Sequence, residues 1–468
     1  MKKLSIIVLV VVVTTGARAA KEPATALKEA GITGGLVVHL GCGGGEMTAA
    51  LRTSDAFTVH GLDRDLENVE KARKHIQSKG LYGPVSVDHL PGSVLPYVDN
   101  LVRALVVSDA GSIPRDELMR VVSPGGVAVI DGKLTVKPWP KETAQWPQHY
   151  NTPDNNAVAL DSVVGPPRYF RWIAEPEWSR SHLELPSIHS LVSAKGRLYS
   201  IEDRASVEHP ALPGRFALIC RDAFNGIELW RHPFPDWQPV NIYIKFTPTQ
   251  LQRQLAAIGD EVYCTPGLNA PITVFDAATG KIRKKFEGTE ETQEFVYADG
   301  VLYVVTGDPY DTLGIGQTPQ GAAKPAPGTV AAKSRGRALT IAPSAFRREA
   351  YGPLIRPLAN PTSTIVAIDA GSGQEIWKQQ GDETKDYEGA TLAVRGPNVV
   401  YALKDSLVCI DRETGRQRWR VMAEKGPWFA QNAKQRILGN RNRPGKAAGT
   451  TLTLVLSDDA VYLAGCNA

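Results

Sequence analysis

A spacing of aspartate, glycine and tryptophan at four-residue intervals recurs through the C-terminal two thirds of the chain. The sets are Asp222, Gly226 and Trp230; Asp276 and Gly280; Asp369, Gly373 and Trp377; and Asp411, Gly415 and Trp419. In the second set Lys284 takes the place of the tryptophan. Each set predicts two antiparallel strands joined by a tight turn, in which the aspartate bonds the turn backbone and the glycine adopts positive φ.

Five segments that end in tyrosine alternate with these turns. They end at Tyr199, Tyr263, Tyr303, Tyr401 and Tyr462. Short strands that repeat about every 40–50 residues are typical of four-stranded propeller blades. We therefore predict a propeller over residues 138–468, with four nearly complete blades and the start of a fifth. A basic segment rich in Pro, Gly and Ala, at about 307–362, is predicted to be an insertion in the third blade.

The residues before the repeats have a different pattern, in which buried strands alternate with amphipathic helices. Strands are predicted at 36–40, 57–62, 85–88, 104–107 and 127–130, with helices over 46–52 and 66–79. Such an alternation predicts a parallel sheet covered by helices, in a domain over residues 31–137. We expect this sheet to stop after its fifth strand, without a final antiparallel hairpin.

A candidate ligand site follows the first predicted strand. Gly41, Gly43 and Gly45 allow a tight turn and close approach of a ligand to the backbone, and Asp63 comes 20 residues after Gly43. An acidic residue at about this offset can accept hydrogen bonds from both hydroxyls of a ribose. Asp109 ends the fourth predicted strand. An aspartate in this place is either an active-site residue or the cap of the following helix. A tight turn without a ligand remains the alternative for the glycines.

These motifs resemble those of class I S-adenosylmethionine-dependent methyltransferases. The resemblance matches residues 39–45 to the cofactor loop, Asp63 to the ribose-binding acid and residues 122–126 to the turn before the fifth strand. It implies S-adenosylmethionine as cofactor and Asp109 as the catalytic residue. The implied cofactor-binding residues are Gly41, Cys42, Gly43, Gly45, Asp63, Asp88 and His89. A nicotinamide-binding domain is the main alternative, although the loop lacks the third glycine of that fingerprint.

The Asp, Gly and Trp turns with their tyrosine strands resemble the repeats of pyrroloquinoline-quinone-type propellers. That group includes quinoprotein alcohol dehydrogenases and an outer-membrane assembly lipoprotein, and residues 146–154 resemble its opening segment. Quinone oxidation in the group uses Ca²⁺ and often a disulfide of adjacent cysteines, and this chain has no adjacent cysteines. We therefore expect neither pyrroloquinoline quinone nor Ca²⁺. No metal site is predicted, because His182 and His189 have no evident third ligand.

The N-terminus predicts export. Lys2 and Lys3 precede an apolar run over residues 4–13, and small residues around Ala19 follow it. This pattern is typical of a secretory signal peptide, here residues 1–19, and leaves no transmembrane segment after cleavage. The predicted location is periplasmic or extracellular. A net charge of +4 argues against a dedicated nucleic-acid-binding protein.

The predicted fold class is multidomain, with an α/β Rossmann-like methyltransferase fold followed by an all-β quinoprotein-type propeller. Three functions remain open. The first is an exported methyltransferase whose propeller binds a protein or carbohydrate partner. The second is a non-enzymatic scaffold with a degenerate methyltransferase domain, and the third is a quinone-dependent dehydrogenase.

Overall fold

The computed structural model describes residues 23–166, 169–176, 187–205, 215–234, 252–267, 270–307, 363–423 and 453–464. These residues fall into two compact units that are divided between Lys137 and Pro138, with residues 33–35 grouped with the second unit. None of the helices in these ranges is long and apolar enough to cross a membrane. The predicted signal peptide, nearly all of the predicted insertion, and His182 lie outside the described residues.

The first unit is one six-stranded sheet with helices. Its elements are α1 (Pro23–Glu29), β1 (Gly35–Leu40), α2 (Glu46–Ala50), β2 (Phe57–Asp63), α3 (Leu66–Ser78), β3 (Val85–His89), β4 (Val102–Val107), α4 (Arg115–Val121), β5 (Val122–Ile130) and β6 (Lys133–Val136). The strand order is β3-β2-β1-β4-β5-β6, and the pairs β2–β3, β1–β4 and β4–β5 are parallel. The predicted α/β fold is thereby confirmed.

Both faces of this sheet are buried. Alternate residues of each strand point to opposite sides, and the residues on each side pack in a different apolar cluster. Val37 and Val59 pack with Ile76 of α3 in one apolar cluster. Val38 and Leu62 belong to a second cluster, which includes residues of α4. Burial on both faces explains why the strands are continuous apolar runs in the sequence.

The expectation that the sheet ends at its fifth strand is wrong. Strand β6 pairs antiparallel with β5, with Ile130 opposite Lys133 and Val127 opposite Val136. The two residues between them, Asp131 and Gly132, both have positive φ, at 51° and 70°. An Asp-Gly pair suits a two-residue hairpin turn of this kind. The Asp131-Gly132 pair is therefore a sequence signal for this hairpin.

The second unit contains successive antiparallel sheets. Their strands are β7 (Ile188–Ala194), β8 (Arg197–Asp203), β9 (Phe216–Asp222), β10 (Glu228–Pro233), β11 (Leu255–Ile258), β12 (Glu261–Cys264), β13 (Ile272–Asp276), β14 (Ile282–Phe286), β15 (Thr292–Ala298), β16 (Val301–Thr306), β17 (Thr364–Asp369), β18 (Glu375–Gln379), β19 (Ala393–Arg395), β20 (Asn398–Leu403), β21 (Ser406–Asp411), β22 (Gln417–Met422), β23 (Thr453–Leu456) and β24 (Val461–Ala464). Among the described residues of this unit, four sheets have four strands each, and β23 pairs with β24. These are the four blades and partial fifth blade that the repeat predicted.

Each repeated turn has the predicted geometry and also receives a side chain from the preceding part of the chain. The glycine N–H donates to the aspartate carbonyl at 2.8 Å in all four turns. A methyl group added to Gly280 would lie 2.6 Å from the Trp230 ring, and Trp230 Nε1 donates to the Ala277 carbonyl at 3.1 Å. Trp377 makes the corresponding contacts with Gly415 and with the Arg412 carbonyl. The tryptophans therefore join consecutive blades.

The segment of residues 146–154, predicted only as an opening segment, contacts the first strand of each of the five sheets in the described part of this unit. Backbone carbonyls of Trp146, Pro147, Pro153 and Asp154 accept hydrogen bonds from β7, β11, β19 and β23, respectively. The Gln148 side-chain oxygen accepts from the Tyr297 N–H of β15 at 3.1 Å. Because this one segment accepts hydrogen bonds from backbone N–H groups of five sheets, it fixes the positions of these sheets relative to one another.

Candidate functional site

The glycine loop between β1 and α2 depends on conformations that only glycine adopts without strain. Gly41, Gly43 and Gly45 have φ of 75°, 52° and 90°. A methyl group on Gly41 would lie 2.6 Å from the Asp109 backbone nitrogen, and one on Gly45 would lie 2.8 Å from Ala72 of α3. Gly43 has nothing within 4 Å of that position. The first and third glycines thus allow close packing, and the middle one leaves open space.

Asp63 joins the end of β2 to the glycine loop. Its Oδ2 accepts the Gly43 N–H at 2.8 Å, and its Oδ1 accepts from the Asp65 N–H and from Asn68 Nδ2. The side chain is buried, with 7% exposure. Burial alone would raise the pKa of Asp63, but the hydrogen bonds from Asp65, Gly43 and Asn68 outweigh it and hold the pKa below its ordinary value. Asp63 is therefore an ionised carboxylate beside the loop.

The end of β4 forms the other side of the loop. The backbone N–H of Ser108 donates to the Leu40 carbonyl at 2.9 Å, so that β4 follows β1 up to the loop. Asp109 is exposed, and its Oδ1 accepts from the Gly111 N–H at 2.8 Å. In a sheet of this strand order, the direction of winding reverses between β1 and β4, where ligands of open α/β sheets bind. Asp63 and Asp109 thus lie on either side of that crevice.

The structure gives Asp88 and His89 protein partners. Asp88 Oδ1 accepts from Arg73 Nη2 at 2.8 Å, and its Oδ2 lies 3.1 Å from His60 Nε2. His89 Nε2 lies 2.9 Å from the carbonyl oxygen of Arg64. Contact of these two residues with an adenine ring stays a prediction. In this arrangement Asp88 holds α3 and β2 to the end of β3.

Cys42 takes part in the loop through a backbone hydrogen bond and through the packing of its side chain. Its N–H lies 3.2 Å from the Leu62 carbonyl, to which it donates, and the side chain is buried in an apolar cluster. Burial, followed by the charge of Asp63, raises the pKa of the Cys42 thiol to about 12. The thiol is therefore protonated at neutral pH, which agrees with a spacing role in the loop.

Two residues near the site have no individual role in the sequence analysis: His39, which appears there only within the matched loop of residues 39–45, and Arg64. His39 of β1 lies between Thr48 and Ser108, 2.8 Å from the oxygen of each. Arg64 reaches from the end of β2 to the loop after β4, where its Nη2 donates to the Ala110 carbonyl at 3.2 Å. The sequence offers two signals for His39, namely its place in the matched loop of residues 39–45 and its polar side chain in an otherwise apolar strand. Arg64 gave no signal, because its side chain bonds residues 46 to 48 positions away.

The propeller unit contains a separate cavity of about 710 Å³ beside the segment of residues 146–154. Its walls include Gln148, Asn151, Tyr297, Asp299 and Arg395. Arg395 is paired with Asp154 and with Asp458. The expectation that the propeller binds neither pyrroloquinoline quinone nor Ca²⁺ stays a prediction.

Each of the two units contains a segment that matches a known protein family. The family model of a methyltransferase domain matches residues 37–126. The family model described as outer membrane protein assembly factor BamB matches residues 361–438. A ubiquinone biosynthesis O-methyltransferase of Actinobacillus pleuropneumoniae is 37% identical over 73 residues, which cover 16% of this chain and 29% of that protein. The match thus spans less than a third of this relative.

Solved structures also resemble the first unit. A SAM dependent methyltransferase from Aquifex aeolicus is 26% identical, with 23% of this chain and 61% of that chain covered and a TM-score of 0.20. The YcgJ protein of Bacillus subtilis is 24% identical, with 20% and 43% covered and a TM-score of 0.18. The two family matches show that the chain contains a methyltransferase domain, followed by a propeller region of repeats similar to those of the assembly factor.

Proposed function

We propose that the first unit binds S-adenosylmethionine at the loop of residues 41–45 and transfers its methyl group to a hydroxyl group. The observation that carries this proposal is the buried carboxylate of Asp63, which the Gly43 N–H holds beside the loop at 2.8 Å. A carboxylate placed there can accept hydrogen bonds from two ribose hydroxyls. The hydroxyl acceptor is inferred from the O-methyltransferase relative.

The charges around the loop favour this cofactor over a dinucleotide. A methyl group added to Gly44 would lie 2.7 Å from Glu46 Oε2, so a carboxylate already lies at the start of α2. At that place it would repel the pyrophosphate of a dinucleotide, whereas Asp63 would suit the ribose of either cofactor. A positively charged sulfonium would be attracted by the carboxylate of Glu46. The residues present therefore fit S-adenosylmethionine.

When bound, the cofactor supplies a methyl group on a positively charged sulfur. A nucleophilic oxygen can attack this methyl carbon, and the sulfur is the leaving group. Asp63 would hold the ribose. The glycine loop, which lies between the ends of β2 and β4, would hold the remainder of the cofactor. Asp109, exposed at the end of β4, can take the proton of the acceptor hydroxyl at its Oδ2, because its Oδ1 accepts from Gly111. The closeness of the Asp109 backbone to Gly41 supports this role.

Titration calorimetry on the full chain tests the cofactor. We expect S-adenosylmethionine and S-adenosylhomocysteine to bind, and Asp63→Asn to weaken both at least tenfold through loss of the charged acceptor. Asp55→Asn is the matched control, because Asp55 precedes β2 at the opposite end of that strand and its side chain is 98% exposed. Absence of binding to the folded protein, or equal binding by Asp63→Asn, would reject the proposal.

Methyl transfer is tested with labelled S-adenosylmethionine and catechol as a simple hydroxyl acceptor. We expect label on the catechol oxygen, and a rate at least tenfold lower for Asp109→Asn with unchanged affinity for S-adenosylhomocysteine. Transfer that is equally fast in Asp109→Asn rejects this residue as the base. Cofactor binding without any transfer to catechol would reject a phenolic acceptor and favour the degenerate domain.

A second proposed function is that the propeller binds a protein partner. It is supported by the repeats similar to those of an assembly factor and by exposed apolar side chains in the segment before β7. Leu160, Tyr169, Phe170 and Ile173 are each at least 79% exposed, and a partner that covers them would remove this apolar surface from water. A photo-crosslinking residue at 170 should capture one protein that a crosslinker at exposed position 285 does not capture. Loss of that product in Tyr169→Asp is expected, and equal capture from both positions would reject the surface.

We also propose that the protein is exported. The two lysines and the apolar run of residues 4–13 support this location. Alkaline phosphatase fused after residue 30 should be active outside the cytoplasm, and Leu4→Arg with Val8→Arg should abolish that activity. An equally active double variant would reject the signal peptide.

A further inference from the structure

Three polar side chains form a continuous chain of hydrogen bonds from the interior of the first unit to its surface. Thr48 Oγ1 of α2 lies 2.8 Å from His39 Nδ1, and His39 Nε2 lies 2.8 Å from Ser108 Oγ. Thr48 is fully buried and His39 is 2% exposed, whereas Ser108 is exposed. The roles assigned so far to Asp63 and Asp109 do not use these three residues.

The direction of the hydrogen bonds follows from counting donors and acceptors. Burial lowers the pKa of His39 to about 4, although Asp63 acts in the opposite direction, so the ring carries one proton at neutral pH. Within the described residues the Thr48 hydroxyl has His39 as its hydrogen-bond partner, and donating to it avoids the free-energy cost of a buried hydroxyl proton without an acceptor. Thr48 therefore donates to Nδ1. The ring proton is then on Nε2, which donates to Ser108.

Ser108 is consequently a hydrogen-bond donor towards the outside. Its oxygen accepts from His39, so its own hydrogen points away from the ring. Within the described residues, the acceptor available to that hydrogen is Met47 Sδ at 3.9 Å, and a thioether is a weak acceptor. An oriented hydroxyl without a strong partner, at the edge of the crevice between β1 and β4, suits an anionic oxygen.

We propose that Ser108 binds the carboxylate at the amino-acid end of the cofactor, and that His39 and Thr48 are positioning residues that orient its hydroxyl. This inference rests on the proposed function. An elongated ligand whose ribose was held by Asp63 at β2 would have the loop after β1 and then the end of β4 as its next neighbours. The ends of these three strands are consecutive along the edge of the sheet, and Ser108 follows β4 directly.

Calorimetry on the full chain with two ligands separates this contact from the rest of the site. S-adenosylhomocysteine contains the amino-acid end, and 5′-methylthioadenosine lacks it. For Ser108→Ala we expect about tenfold weaker binding of S-adenosylhomocysteine, from loss of one hydrogen bond to a charged group, and unchanged binding of methylthioadenosine. Thr48→Val, which keeps the shape of the side chain, should give a smaller loss with the same selectivity. Ser78→Ala, at the exposed end of α3, is the control.

Each other outcome contradicts the inference. Unchanged binding of S-adenosylhomocysteine by Ser108→Ala, or an equal loss for both ligands, would overturn it while leaving the proposed cofactor site intact. Failure of the unaltered protein to bind either ligand would overturn the proposed function as well. A measurement without variants is the His39 tautomer, read from long-range ¹H–¹⁵N NMR. We expect the proton on Nε2, and a proton on Nδ1 would overturn the inference, because Ser108 would then donate inward.

Discussion

Lys284 Nζ donates a hydrogen bond to the Ala370 carbonyl at 3.1 Å, as Trp230 Nε1 does to the Ala277 carbonyl, also at 3.1 Å. The two carbonyls occupy the same place, directly after the aspartate of the next turn. The Lys284 stem also lies against Gly373, with Cε 3.3 Å from the position of an added methyl group. A lysine can thus replace the tryptophan because it combines an apolar stem with a terminal donor.

Lys284→Ala should destabilise the propeller by about 1–2 kcal/mol. The change removes hydrogen bonds to the Ala370 and Gly371 carbonyls and the contact of the ammonium with the Phe286 ring. All nine tryptophans of the chain lie after residue 137, so tryptophan fluorescence during urea unfolding reports on this unit. Lys285→Ala, on the other side of the strand, should change the free energy of unfolding by less than about 0.5 kcal/mol. Equal effects of the two variants would show that the contact of Lys284 with the next turn does not stabilise the propeller.

Gly41→Ala and Gly43→Ala should differ, although both positions have positive φ. The added methyl group on Gly41 meets the Asp109 backbone, whereas the one on Gly43 meets nothing within 4 Å. Gly43→Ala should therefore cost about 1 kcal/mol through backbone strain alone. Gly41→Ala should cost at least 1 kcal/mol more, because β4 and the loop must separate.

Hydrogen exchange with mass spectrometry can compare these two variants within the first unit. Peptides from the end of β4 should exchange faster in Gly41→Ala and at the normal rate in Gly43→Ala. The same rate in both variants would mean that the loop relaxes without moving β4, and that close packing is not the reason for glycine at position 41.

Asp63 should titrate below its ordinary pKa of 3.8. Because the folded pKa is lower than the unfolded one, its contribution to stability is present above about pH 4 and is lost as the pH falls through the folded value. The carboxyl carbon of Asp63, identified by its absence in Asp63→Asn, should show this midpoint in a ¹³C NMR titration. A midpoint at or above 3.8 would mean that burial outweighs the hydrogen bonds from Gly43 and Asp65.

Local patterns in the sequence were sufficient for the parts of the fold that local chemistry determines. The spacing of Asp63 from Gly43 predicted a shared site, and the two residues are hydrogen-bonded. The turns at Asp222 and Asp411 have the predicted glycine conformation. In each case the determining residues are close in sequence or follow from the periodicity of strand and helix. The Asp131-Gly132 turn was available in the same way.

Contacts between residues far apart in sequence could not be predicted. Gln148 bonds the backbone of Tyr297, 149 positions away, and no pattern around either residue indicates this pair. The chain of Thr48, His39 and Ser108 likewise brings together two strands and a helix. Such contacts depend on the arrangement of whole elements, which is why the partner of a buried polar residue is difficult to predict from sequence.

Breaking the buried ion pair between Arg253 and Glu294 should strongly destabilise the propeller. Arg253 Nε lies 2.8 Å from Glu294 Oε2, with both side chains at most 2% exposed. The arginine also donates to the Ala390 and Leu392 carbonyls, and Glu294 Oε1 accepts from the Tyr387 hydroxyl at 2.6 Å. This cluster therefore connects residues from three blades.

Glu294→Gln keeps the shape of the side chain but leaves the arginine charge buried without its counter-ion, so we expect a loss of about 3–5 kcal/mol. The double variant Arg253→Met with Glu294→Gln should lose less than the single variant, because no uncompensated charge remains. Tryptophan fluorescence in urea measures both. Breaking the exposed pair of Lys195 and Asp260 with Lys195→Met should cost at most about 1 kcal/mol. If Glu294→Gln costs no more than that surface change, the buried pair does not hold the blades together.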